Sequence, residues 1–297
     1  MRALGIDLGG TNVKWVVLDL TAQPRVVADG QAPTRAELGP AIALERLQEL
    51  GREAASQAGP ITRVGVGMPG PLDLERGRTV FLGNLPGWED YPIVEPLERL
   101  LGLPVALIND ARAFTLAELE LGAGRGCRAM VGFTIGTGIG GGIVVDGQLL
   151  MHFNGLVGEL GHQTLVPEGP PCGCGNRGCL EQFAAGPAIA HAAGMATPEL
   201  VFEAARSGDR GAIEVLARAG AFLGIGIANV ALVVGPERIV IGGGVAEAGD
   251  LILEPARAEL RRRLTVMPLD RIDVVRAELG PKAGAIGAAL WGATRAS

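Results

Sequence analysis

A chain of 297 residues with 48% hydrophobic content has the material for two domains with sizeable cores. A formal net charge of −6 excludes a nucleic-acid binder that relies on a basic face. Mean hydropathy is +0.31, but Gly or charge breaks the apolar runs well before the roughly eighteen residues a spanning helix needs, so no membrane partner is expected. No signal peptide is read at the start, which points to the cytoplasm. Of the 26 basic residues only Lys14 and Lys282 are lysines, which makes a lysine beside a glycine turn notable.

Residues 3–8 and 13–18 read as strands covered on both faces, joined through Gly9, Gly10, Thr11 and Asn12. Asp7 closes the first strand. In such a turn, backbone amides and the Thr11 hydroxyl can surround phosphate oxygens. Taken alone, the turn matches neither common phosphate-loop pattern and reads as a plain hairpin. Lys14 reads either as a phosphate contact or as a solvated strand residue.

Helix-spaced apolar residues follow at 41–58 and 93–101, with strands at 61–68 and 105–109, the alternation of an α/β domain. The loops Met68-Pro69-Gly70-Pro71 and Asn84-Leu85-Pro86-Gly87-Trp88 are places where binding residues concentrate. The second, by itself, reads as a Pro-Gly turn with a surface tryptophan. At Asn109-Asp110 a strand runs into a helix beginning near Ala111. Local reasoning makes Asp110 the N-cap; its place at a strand's carboxyl end is also where ligands of open α/β sheets bind.

The first turn recurs. A shift of 127 residues lays IDLGGTNVKWVVLD, starting at Ile6, on FTIGTGIGGGIVVD, starting at Phe133. Two copies imply a duplicated architecture. Gly136, Thr137, Gly138 and Gly140 then form a second phosphate turn, which could face the first across a cleft and clamp a nucleotide's phosphates.

Glu159 and His162 come next, then Cys172, Cys174 and Cys179, with Glu181 close behind. Three thiolates and one imidazole are what a closed tetrahedral zinc site needs, and Gly173, Gly175 and Gly178 let the backbone turn between them. A disulfide, disfavoured in a reducing compartment, and unrelated buried thiols are the competing readings. His162 can give one ring nitrogen to the metal and keep the other for a second partner. Helices are expected at 198–206, 209–233, 251–264 and 283–291, the last packing back on the first domain, and strands at 238–241 and 272–275. Around Gly243 and Gly244 the missing side chains leave room for a flat adenine or ribose, or make a mere turn.

The run CGCGNRGCLE, preceded by GELGH, resembles the zinc signature of the ROK family of repressors, uncharacterised reading frames and sugar kinases. It is complete at every cysteine and at Glu181. The family's EIGH-like segment reads ELGH here, a mild departure. With the glycine hairpins and the ND pair, the resemblance extends over nearly the whole chain. It implies an actin/hexokinase-like α/β fold, with two similar α/β domains around a central cleft. The boundaries are set at 1–110 plus 283–297 for the N-terminal domain and 111–282 for the C-terminal domain with its zinc loop.

The resemblance also implies roles. Asp110 becomes the base toward the attacking sugar hydroxyl. Asn84, Asn109, Asp110, Glu159, His162 and Glu181 become sugar ligands, and Gly243 and Gly244 part of the adenosine site. Zinc is structural, held by His162, Cys172, Cys174 and Cys179. ATP and Mg²⁺ are the implied cofactors, and a homo-oligomer, dimer or tetramer, the implied assembly.

The expected activity is ATP-dependent phosphorylation of a hexose. NLPGW resembles a sugar-facing loop of bacterial glucokinases and tilts the choice to glucose over N-acetylmannosamine, fructose or mannose; polyphosphate stays open as a donor. A sugar-responsive regulator of the same family would carry a helix-turn-helix domain ahead of the first hairpin, for which a hairpin at residue 7 leaves no room. An actin-like ATPase would have no use for Glu159, His162, Glu181 or the cysteine loop.

Overall fold

The apolar runs on either side of the first glycine turn form β1 (Arg2–Leu8) and β2 (Asn12–Asp19), antiparallel from Leu8↔Val13 to Arg2↔Asp19. The computed structural model describes residues 1–35, 38–81 and 87–295. β3 (Arg25–Pro33) extends the hairpin beyond β2. α1 (Pro40–Ala58) covers the sheet through Ala43, Leu44, Leu47, Leu50, Ala54 and Ala58, the i, i+3, i+4 stripe of an amphipathic helix. β4 (Arg63–Met68) pairs parallel with β1; a short hairpin, β5 (Leu72–Asp73) and β6 (Arg78–Thr79), and α2 (Val94–Leu101) lead to β7 (Val105–Asn109), parallel to β4. α3 (Asp110–Leu121) follows directly.

A second sheet repeats the plan. β8 (Met130–Ile135), β9 (Ile139–Val145) and β10 (Gln148–Leu149) form an antiparallel meander. After the single turns α4 (His152–Gly155) and α5 (Glu181–Ala184) come α6 (Gly186–Ala192), α7 (Pro198–Arg206) and α8 (Arg210–Val234). β11 (Arg238–Gly242), α9 (Asp250–Arg263), β12 (Asp273–Arg276) and α10 (Ala283–Arg295) complete the chain.

The sheet orders are β3-β2-β1-β4-β7 and β10-β9-β8-β11-β12. In each, the lead strand has antiparallel neighbours on one side and parallel ones on the other, so the duplication extends far beyond the aligned hairpins. The register differs by one residue. β1–β2 pairs Ile6 with Trp15, whereas β8–β9 pairs Phe133 with Gly141, so the shift of 127 holds on the first strand and drops to 126 on the second. The closing aspartates are therefore not equivalent: Asp19 ends β2 and accepts from Thr21 (2.7 Å), while Asp146 lies in the next turn with φ 50°.

Two compact units result, each with its own core: Met1–Gly122, Leu150–Val157 and Pro281–Ser297 form one, and Ala123–Leu149 with Gly158–Gly280 the other. This moves the expected boundary. Residues 111–122 and 150–157 belong with the first unit because α3 packs along α10, and because Asn154 is tied to the β5–β6 hairpin, donating to Asp73 (2.8 Å) and accepting from the Glu75 N–H (3.1 Å). α10 lies against β1 and β4, and the Trp291 indole N–H donates to the Leu107 carbonyl (2.9 Å).

One expectation about apolar runs needs correction. α8 is long and apolar enough, by length and composition, to cross a bilayer. Its glycines do not interrupt it, because helix packing overrides their weak propensity. Its inner face, from Ala212 through Leu216, Leu223 and Ile227 to Ala231, is core of the second unit, and α9 packs along it.

Candidate active site

Three parallel strands of the first unit end together. The cross-strand row Asp7, Gly67, Ile108 sets the β1–β2 turn, the Met68–Pro71 loop and Asn109-Asp110 at one carboxyl edge of the sheet, the edge at which ligands of open α/β sheets bind. In the turn, the Gly9 N–H donates to the Asn12 carbonyl (3.0 Å), and Gly10, Thr11 and Asn12 are exposed. Lys14 pairs with Asp7 across the hairpin and is half-buried.

Burial pushes the Asp7 carboxyl from its ordinary 3.8 up to about 6, with Lys14 pulling the other way. Between about pH 4 and pH 6 the folded carboxyl therefore holds a proton that the unfolded one has released, so the contribution of Asp7 to stability falls across that window and then levels off. A shift of that size corresponds to roughly 3 kcal/mol. Asp7→Asn should therefore stabilise the ligand-free protein at pH 7 by about 1–3 kcal/mol and remove this slope, measured by denaturant unfolding across pH. A variant less stable than the parent at pH 7 would refute the cost assigned to Asp7.

At the end of β7 the cap is Asn109, a correction to the reading of Asp110. Asn109 keeps extended backbone (φ −68°, ψ 142°), while Asp110 is already the first residue of α3. Asn109 Oδ1 accepts from the N–H groups of Ala111 (3.0 Å) and Arg112 (3.3 Å) and from Arg112 Nη1 (2.9 Å); its Nδ2 donates to the Gly70 carbonyl (3.2 Å). Asp110 is half-buried, with Oδ1 accepting from the Ala111 N–H (2.8 Å). Asn84 lies outside the described residues. Trp88, read as a surface residue, is fully buried and packs on Tyr91.

In the second unit the turn is tighter. The Gly136 N–H donates to the Gly138 carbonyl (2.9 Å), and the Gly186 N–H, where α6 begins, donates to the Gly136 carbonyl (2.8 Å). Thr137 is exposed; Gly140 lies past the turn, inside β9 opposite Thr134. Glu181, expected only among sugar ligands, reaches this turn: its Oε2 accepts from the Ile139 N–H (2.8 Å), and a Cβ on Gly138 would stand 2.5 Å from that oxygen. A cavity of about 620 Å³ opens alongside, with Thr137, Glu181, Arg218 and the stacked Phe183 and Phe222 in its wall. Gly243 has φ 85°, and a Cβ there would lie 2.4 Å from the Ile135 carbonyl, so its lack of a side chain serves packing on β8; only Gly244 faces open space.

The four sequence-read metal ligands converge. The ligand atoms of His162, Cys172, Cys174 and Cys179 all lie within 4.8 Å of one another. Cys172 Sγ to His162 Nδ1 and Cys174 Sγ to Cys179 Sγ are both 3.7 Å, about the edge of a tetrahedron with zinc–sulfur bonds of about 2.3 Å. The use of Nδ1 leaves His162 Nε2 for another partner. The Gln182 amide donates to Cys172 Sγ (3.6 Å). Burial, with the neighbouring thiols adding to it, pushes the Cys179 thiol up to about 12, a cost that a divalent cation would relieve. Glu159 is exposed and starts the turn that carries His162, whose N–H donates to the Glu159 carbonyl (3.1 Å).

Residues 3–295 match the sequence profile of the ROK family. The chain belongs to the ROK family. A glucokinase of Thermotoga maritima is 36% identical over 310 residues, spanning 97% of this chain and 96% of that protein. An N-acetylmannosamine kinase of Citrobacter koseri is 34% identical over 295 residues, 98% of each. Among solved structures, a ROK hexokinase from Thermus thermophilus superposes with a TM-score of 0.85 at 38% identity, covering 99% of this chain and 98% of that one. A ROK family glucokinase from Streptomyces griseus, in complex with glucose and AMPPNP, gives 0.84 at 31% identity, covering 99% and 100%.

Two polar residues of this ROK chain escaped the sequence reading. Arg112, 1% exposed, joins Asn109 Oδ1 to the Val157 carbonyl through Nε (3.0 Å). Thr34, fully buried, touches the first glycine turn. The only available signal for Arg112 was its position two residues after Asp110, and for Thr34 there was none.

Proposed function

We propose that this ROK chain is an ATP-dependent hexose kinase whose acceptor is glucose. The observation that carries the reading is the carboxylate of Asp110, set just beyond a capped strand end at the same sheet edge as a glycine turn. Asp110 takes the proton of, or orients, the C6 hydroxyl as it attacks the γ-phosphorus; the β–γ bridging oxygen leaves with ADP. Gly9, Gly10, Thr11 and Asn12 on one turn and Gly136, Thr137 and Gly138 on the other offer N–H and hydroxyl donors to phosphate oxygens. Asn109 has one amide hydrogen beyond its bond to Gly70, and Glu159, His162 Nε2 and Glu181 Oε1 are further hydroxyl partners.

Two metals complete the reading. Asp7, whose ionised form burial disfavours, is a hard oxygen donor that would hold Mg²⁺, which when bound would supply charge neutralisation at the transferred phosphoryl group. Zinc closes the His162, Cys172, Cys174, Cys179 site and keeps the loop in shape; four protein ligands leave no open position for chemistry.

A second acceptor has a specific basis, since N-acetylmannosamine kinases match the chain over nearly its whole length. The test is a coupled assay across glucose, mannose, fructose and N-acetylmannosamine with ATP and with polyphosphate. Glucose with ATP should give the highest kcat/KM. An advantage of about tenfold for N-acetylmannosamine would transfer the assignment, and no turnover with any sugar would remove it.

A further inference from the structure

β3 ends at Pro33, and the next residue, Thr34, is fully buried against the β1–β2 turn. Its N–H donates to the Thr11 carbonyl (2.9 Å), and its Oγ1 donates to the Gly9 carbonyl (2.6 Å). One residue just past the end of a third strand thus holds two carbonyls of a four-residue turn. We infer that Thr34 is a positioning residue for the donor phosphates, an inference that rests on reading this turn as a phosphate site.

In a planar trans peptide the carbonyl and the following N–H point in opposite directions. Fixing the Gly9 carbonyl inward on Thr34 therefore turns the Gly10 N–H outward, to the side where Gly10 and Thr11 are exposed. The Gly9 N–H is already committed to the Asn12 carbonyl (3.0 Å). Nothing in the turn itself prevents the Gly9–Gly10 peptide from rotating, because glycine populates both signs of φ. The hydroxyl of Thr34 supplies that restraint from outside.

The test uses Thr34→Val, which removes the hydroxyl but keeps the branched shape and the backbone bond to Thr11, and Thr34→Ser, which keeps the hydroxyl. Binding of adenylyl imidodiphosphate, adenosine and glucose is measured by calorimetry on the whole chain, with melting curves alongside. Thr34→Val should bind the triphosphate analogue about tenfold more weakly, with adenosine and glucose within about twofold, and Thr34→Ser should stay close to the parent. An unchanged analogue affinity in folded Thr34→Val would overturn the inference. So would a Thr34→Ser as weak as the valine variant, or an equal loss of glucose affinity. If the parent chain bound glucose but no triphosphate, the phosphate reading of the turn would itself be wrong, a result distinct from these.

Discussion

Asp110→Asn is expected to lower kcat for glucose phosphorylation by about a thousandfold or more, with glucose affinity and thermal stability changed little. The local structure explains why chemistry and folding should separate here. The start of α3 is capped by Asn109, so the variant leaves the cap in place, and an asparagine Oδ1 at 110 can still accept from the Ala111 N–H. What disappears is a negative charge able to receive a proton. Had Asp110 been the cap, the same substitution would have tested helix stability as much as catalysis. Steady-state kinetics, glucose calorimetry and a melting curve decide it. Retention of more than about a tenth of the parent's kcat would sink the assignment of the base.

Cys174→Ser should lose the metal and, with it, glucose binding. Elemental analysis should find about one zinc per chain in the parent and almost none in the variant, since four-coordinate sites of this kind depend on every thiolate. Cys174 is the exposed ligand, so its replacement disturbs packing least. The loop it helps to close begins at Glu159 and His162 and ends at Glu181. Glucose affinity should therefore drop by about tenfold or more, and that of a nucleotide by no more than a few-fold, through the bond from Ile139 to Glu181. A metal-free parent with full activity would refute zinc; a variant that binds glucose normally yet cannot turn it over would refute the structural role.

Much of this site was legible because short-range chemistry wrote it. Glycine turns between apolar strands, three cysteines within eight residues and an Asn-Asp pair at a strand end are local signals, and the structure gathers the ligand atoms of the cysteines and His162 within 4.8 Å of one another. Choosing between Asn109 and Asp110 as cap lay beyond that reach, since both residue types cap well and the decision rests on which one leaves the extended region first. Thr34, Arg112 and the turn-facing oxygen of Glu181 depend on partners 25, 45 and 42 residues away in sequence, and no local pattern encodes such pairings. β3 was missed for a different reason. Its sequence RVVADGQAP mixes glycine, aspartate and proline into a half-exposed strand, where neither alternation nor an apolar run marks it.

The interleaved path of the chain has a consequence for its synthesis. The first unit takes its closing helix, α10, from the far end of the sequence, and that helix lies on β1, β4 and α3. A nascent chain emerges N-terminus first, so residues 1–122 leave the ribosome with the surface later covered by α10 still bare. The second unit, complete by Gly280, has its last element made before α10 has emerged. The half made first is thus the half finished last, and chains arrested before residue 283 would present an unfinished β1–β4 face to chaperones beside a second unit already able to close.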